Sequence, residues 1–105
     1  MQRVWEILYE NGADVVVAGH DHSYERFAPQ DANGLADPHR GVRQFVVGTG
    51  GAGLYEFAAV QPNSEVRYNG GFAVIKFVLH PADYVWELIG APGGQIIDSG
   101  KSRCH

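Results

Sequence analysis

The sequence predicts a mixed α/β chain, α+β in arrangement and mostly strand. Three observations lead there. The opening segment has helical spacing and runs into "DVVVA", an unbroken β-branched run. The closing third alternates apolar runs with tight turns. Glycine, at 14 of 105 residues, falls mostly between the apolar runs, where strands turn. A chain of 105 residues is enough for one domain and not for two.

In "QRVWEILYENG", Val4 and Leu8 stand four apart and Trp5 and Leu8 three apart, which predicts a helix. Gly12 follows at the place of a left-handed cap. No Ser, Thr, Asp or Asn caps the start, and the pattern is already running at Met1. "DVVVA" suits a strand buried on both faces, as in a parallel sheet. A helix feeding such a strand is the second half of a β-α-β unit whose first strand the sequence lacks. Both features lead to the expectation of an incomplete domain without its N-terminal part.

Residues 28–41 read as a loop, with Asn33-Gly34 as a turn signal. "VRQFVV" reads as a strand ending in "GTGGAG". "LYEFAAV" suits a short helix or a strand, and "QPNSEVRYNGG" reads as mostly loop. "FAVIKFVL", "YVWELI" and "QIIDS", joined by "HPAD" and "GAPGG", predict a three-stranded antiparallel meander. On its first strand Ala73, Ile75, Phe77 and Leu79 share one side, and Phe72, Val74 and Val78 the other. Both sides are apolar, so both require cover.

A net charge of −4 gives no basic footprint, so nucleic acid is not an expected partner. The apolar runs are far shorter than a membrane span, so no membrane partner is expected. No secretion signal is visible. Cys104 has no partner within the chain, which leaves its redox compartment open.

The chemistry concentrates just after the first strand, at Gly19-His20-Asp21-His22. In open α/β sheets, ligand sites lie beyond the carboxyl ends of strands. In extended chain, residues two apart project to one side. His20 and His22 then offer two imidazoles to one place while Asp21 points elsewhere. Neutral imidazole ligates transition metals. Two readings stand side by side: a metal-binding pair, or two histidines of a surface loop.

The stretch "GHDHSYERF" resembles the histidine motif of the calcineurin-like metallophosphoesterases, on the purple acid phosphatase side. "FVVGTGGAGLY" is similar to the strand and glycine loop that follow it there, and the segment from Gly70 to His105 to the closing strands. The resemblance implies the C-terminal part of a two-sheet β-sandwich flanked by helices. It implies a dinuclear centre of divalent or trivalent ions (Fe, Zn or Mn) that hydrolyses phosphate esters, monoesters first among them. His20 would bind one metal and His22 the other; no role carries over to Asp21, and no catalytic residue beyond the ligands is identified. Related enzymes are often exported, so an extracytoplasmic location is implied.

The family's other ligand motifs (Asp-x-His, Gly-Asp-x-x-Tyr, Gly-Asn-His) do not occur here in the family's order. Asp37-Pro38-His39 has the first spacing but lies after the pair, in a loop no strand feeds. The missing ligands are expected from an absent N-terminal part or from another chain. A zinc site generally takes at least three protein ligands, so the chain alone is expected to be a poor catalyst.

Tyr24, Glu25 and Arg26 either contact substrate, since arginine grips phosphate in bidentate fashion, or brace the loop. Gly48, Gly50 and Gly51 form a glycine loop that lets the backbone pass close to the pocket or to a neighbour. With Gly53, Gly48 and Gly50 match the dinucleotide fingerprint in form. However, Pro62 interrupts any long helix after it, and residues 70–76 hold no acid. Nucleotide binding is thus an alternative, as is a non-catalytic β-rich interaction module. His80 and the Cys104-His105 tail read as structural or solvent-facing, and Trp5, Tyr84 and Trp86 as core.

Overall fold

The computed structural model describes residues 2–51, 53 and 60–105. Its opening helix, α1 (Gln2–Glu10), stops where the sequence places a cap: Gly12 adopts φ +74°, and its N–H donates to Tyr9 O at 3.1 Å. The chain then enters β1 (Val15–Ala18), followed by β2 (Tyr24–Phe27), β3 (Arg43–Val47) and β4 (Ser64–Tyr68). These form one sheet in the order β1-β3-β2-β4. As the β-branched run predicts, β1 pairs parallel, with β3, but it is not buried on both faces: it is the edge strand of the sheet, and Val17 is 52% exposed. The remaining strands, β5 (Phe72–Leu79), β6 (Asp83–Ala91) and β7 (Ile96–Arg103), form the antiparallel meander.

The layers are helix, sheet, sheet. Val16 and Ala18 of β1 and Gln44 of β3 face α1, where Val4, Trp5 and Leu8 line a cleft of about 590 Å³ with residues 30–34. The opposite face of that sheet meets the meander. Tyr24 and Phe45 pack there against Ala73, Tyr84, Trp86 and Leu88. Phe45 sits edge-on to Phe77 and to Trp86, with centroids 5.1 and 5.3 Å apart. Strand β6 carries most of this: Tyr84, Trp86, Leu88 and Gly90 are buried in strict alternation.

Residues 24–27, whose spacing predicts no element, are strand β2, an inner strand of the first sheet. Other sequence expectations need correction. Residues 64–68, read as loop, are strand β4, paired antiparallel with β2. Leu79 does not share the burial of its β5 face; it is 76% exposed at the strand's end. The Cys104-His105 tail is tied down rather than free: Cys104 packs against the core, and the His105 N–H donates to Asp14 Oδ1 at 2.9 Å. The meander is covered on its inner face, while Phe72, Val74, Val78 and Ile96 stay exposed on the molecule's surface. The segment "LYEFAAV" lies at 54–60, of which 54–59 fall outside the described residues.

Candidate functional site

Because β1 and β3 run parallel, their carboxyl ends lie at the same edge of the sheet, with Ala18 beside Val46. The segments leaving those ends are residues 19–23, which carry the histidines, and, among the described residues, 48–51 and 53 of the glycine stretch. They converge at that edge. Gly48 N–H donates to Ser23 O at 2.9 Å, and His22 Nδ1 lies 2.7 Å from Gly53 O.

The extended conformation expected for His-x-His does not occur. His20 adopts φ +75°, the left-handed region, so the chain bends at the first histidine. The short bonds Asp21 N–H to Gly19 O (3.0 Å) and Ser23 N–H to Asp21 O (2.8 Å) mark the bend. Strand alternation therefore does not set the directions of the two rings; the bend and the neighbouring loop do. His20 and Asp21 are exposed, and His22 is half-buried.

Tyr24 and Arg26 point across the gap between the sheets. Asp98, on β7, accepts four hydrogen bonds: from Tyr24 Oη at 2.6 Å, Arg26 Nε at 2.9 Å, Arg26 Nη2 at 3.3 Å and Trp86 Nε1 at 3.2 Å. Arg26 Nη1 pairs with Glu65, which also takes Arg43 Nη1 at 2.6 Å. Both guanidinium groups stack over Trp86, 5.2 and 5.1 Å from its ring. All three nitrogens of Arg26 are thus engaged in bracing. Glu25 accepts from Ser64 Oγ at 2.5 Å, across the β2–β4 pair.

The electrostatics follow from this geometry. Burial works to raise the Asp98 carboxyl, but the hydrogen bonds from Arg26 and Tyr24 outweigh it and hold it below the usual range. Burial, then the bond to Asp98, pushes the Tyr24 phenol far up, so it stays protonated. Sequence reading named Tyr24 and Arg26 but missed Asp98, which lies 74 residues from Tyr24.

Of the glycines, Gly48 is fixed by sterics: a Cβ there would lie 1.8 Å from the Asp21 carbonyl oxygen. Gly50 faces open space, and Gly51 takes φ +142°. Thr49, between Gly48 and Gly50, is fully buried and donates to Ala73 O at 2.9 Å. Asp37, in the Asp-x-His stretch, is occupied by Tyr9 Oη at 2.7 Å and by the His39 and Arg40 N–H groups. These bonds, that from Tyr9 first, hold its carboxyl below the usual range.

Among the described residues, no three or more His, Cys, Asp or Glu side chains gather as a metal site would require. The histidine pair fits part of a donor set. A carbonyl only accepts, so the proton on the 2.7 Å contact between His22 and Gly53 belongs to Nδ1 of His22.

No protein-family model matches the chain. It is 29% identical to probable inactive purple acid phosphatase 1 of Arabidopsis thaliana, over 94% of this chain and 17% of that protein. Its fold matches a purple acid phosphatase from seeds of yellow lupin (Lupinus luteus), with a TM-score of 0.81 and 28% identity. That match covers 99% of this chain and 19% of the lupin chain. GAP50 of Plasmodium, the anchor in the inner membrane complex, shares the fold at a TM-score of 0.72 and 18% identity, over 94% of this chain and 28% of its own. In sequence and fold together, the chain is similar over nearly its whole length to the C-terminal portion of purple acid phosphatases.

Proposed function

We propose that this chain supplies the histidine pair of a dinuclear metal centre that hydrolyses phosphate monoesters. One observation carries the reading. The Gly-His-x-His motif lies beyond the carboxyl end of a parallel strand, and the loop after the neighbouring parallel strand meets it at His22. His20 and His22 offer the imidazole donors; the glycine loop orients one of them. Bound metal would lower the pKa of water toward neutral and stabilise charge on the phosphoryl oxygens. Tyr24 and Arg26 hold the strand that follows the motif. The chain spans 17% and 19% of the two purple acid phosphatases it matches, so further ligands are expected from polypeptide beyond the described residues or from another chain.

The test is equilibrium binding of zinc, iron and manganese, followed by turnover of a phosphomonoester. The chain alone is expected to bind zinc weakly, to lose that binding in His20→Ala and His22→Ala, and to turn over little substrate. Metal binding unchanged after both imidazoles are removed overturns the reading.

A non-catalytic role is the second reading. It is favoured by the lack of a three-ligand cluster among the described residues and by the Arabidopsis relative, whose name marks it as probably inactive. It predicts no metal binding in the intact chain.

A further inference from the structure

The dipeptide Asn-Gly occurs three times in the sequence, at Asn11-Gly12, Asn33-Gly34 and Asn69-Gly70. Asparagine is a thermolabile residue, and its weak point is the side-chain amide carbon. A following glycine, with no Cβ, lets its own backbone nitrogen approach that carbon unhindered. The fold treats the three pairs differently. Asn11 Nδ2 donates to Ile7 O at 2.8 Å, which pins the first amide to the end of α1. Asn69 is half-buried and engaged in an interaction of its own, and the Tyr68 ring crowds Gly70, 3.1 Å from where a Cβ would stand. Asn33 and Gly34 are both exposed, and the Asn33 side chain has no hydrogen-bond partner among the described residues.

We propose that the fold singles out Asn33 for spontaneous deamidation. The Gly34 backbone nitrogen gives its proton to hydroxide and attacks Asn33 Cγ; ammonia leaves, and water opens the cyclic imide to aspartate or isoaspartate. Asp31 Oδ1 accepts the Asn33 N–H at 2.8 Å and the Leu35 N–H at 3.0 Å, which fixes the main chain of the turn and leaves the Asn33 amide outside it. Gly34 takes φ +81°, and a Cβ there would meet only the tip of Gln30, 4.0 Å away. The Gly12 and Gly34 N–H groups are both engaged, with Tyr9 O at 3.1 Å and Asp31 O at 3.2 Å, so the main chain does not rank the sites. The side chains do. The product is a carboxylate beside Asp31 in the lining of the cleft under α1, where a neutral amide stood. Isoaspartate also lengthens the main chain by a methylene, which draws Gly34 O away from its 2.8 Å bond with Asn63 Nδ2.

The experiment incubates the intact chain in mildly alkaline buffer and follows its tryptic peptides by mass spectrometry over time. Cleavage after Arg3, Arg26, Arg40, Arg67 and Lys76 places the three Asn-Gly pairs in separate peptides. Conversion is read as the mass gain of amide to acid and as separate aspartate and isoaspartate peaks. The expected result is conversion several-fold faster at Asn33 than at Asn11 or Asn69. In denaturant the three rates should converge, because the dipeptide is the same in each. Asn33→Gln should abolish conversion in its own peptide and leave the other two rates unchanged. Conversion at Asn33 no faster than at Asn11 and Asn69 in the folded chain overturns the proposal. So does an unchanged ranking in denaturant, which would assign the difference to neighbouring sequence and not to the fold.

Discussion

The seam between the sheets and the rim that carries the histidines are built on opposite principles, although β2 joins them. A single residue, Ser23, separates His22 at the rim from Tyr24 in the seam. In the seam, donors converge on shared acceptors: the Asp98 side chain is 8% exposed, Arg26 is 14% exposed, and both are fully engaged, while Arg43 Nε is buried without a partner among the described residues. At the rim, a bend at φ +75° and a close glycine contact hold an exposed loop. The seam spends its polar groups on one another and fixes the sheets. The rim keeps His20 exposed and accepts a strained backbone there, as functional sites tend to do. The contrast makes a claim that can be broken: stability should reside in the seam and ligand chemistry at the rim.

The largest effect is expected from Asp98→Ala. Removing the carboxylate leaves Tyr24, Trp86 and the Arg26 charge without their shared acceptor in a nearly dry space. Breaking a buried pair this way costs about 3–5 kcal/mol, measured by denaturant unfolding. A loss below about 1 kcal/mol would mean that the seam is hydrated and the contrast false.

Acid probes the same group. The folded-state pKa of Asp98 lies below the unfolded value of about 3.9. Between the two values the unfolded chain binds more protons, so stability rises with pH there. Its contribution is complete above the unfolded pKa and is lost as pH falls through the folded one. Asp98→Asn should flatten that acid limb of stability against pH, followed by Trp86 fluorescence.

A smaller loss is expected where the two regions touch. Gly48→Ala places a methyl 1.8 Å from a backbone oxygen, so the loops must part. Overpacking of this kind costs about 1–3 kcal/mol. Gly50→Ala, two residues on, meets nothing within 4 Å and should be near neutral. Equal effects at the two positions would show that the loops do not meet as described.

The legible parts of this molecule are those in which apolar periodicity and local chemistry agree. The helix with its Gly12 cap, the parallel strand after it, and the meander all follow from spacing. Strands β2 and β4 do not, because their sequences "YERF" and "SEVRY" carry the polar side chains of the seam. Arg26 looks like a surface residue until a second sheet closes over it, and nothing in "QIIDS" marks Asp98 as the acceptor for side chains 72 and 74 residues away. The motif itself was visible, but its geometry was not. Alternation in "GHDH" presumes an extended backbone, and nothing in four residues announces a left-handed φ at a histidine.

That φ supplies the smallest and most discriminating prediction. Holding an L-residue in the left-handed region costs roughly 1–2 kcal/mol, which His20→Gly would relieve. Glycine's greater freedom in the unfolded chain takes back roughly 0.5–1 kcal/mol. The net expectation is a stability gain of about 0.5–1 kcal/mol for His20→Gly and none for His20→Ala, which removes the imidazole but keeps the backbone strain. Thermal or denaturant unfolding of the pair separates ring from backbone. If only the glycine variant gains, the rim holds His20 at a cost to the fold, as expected of a residue kept for its nitrogen. If both gain equally, the ring itself is the burden and the bend is not strained.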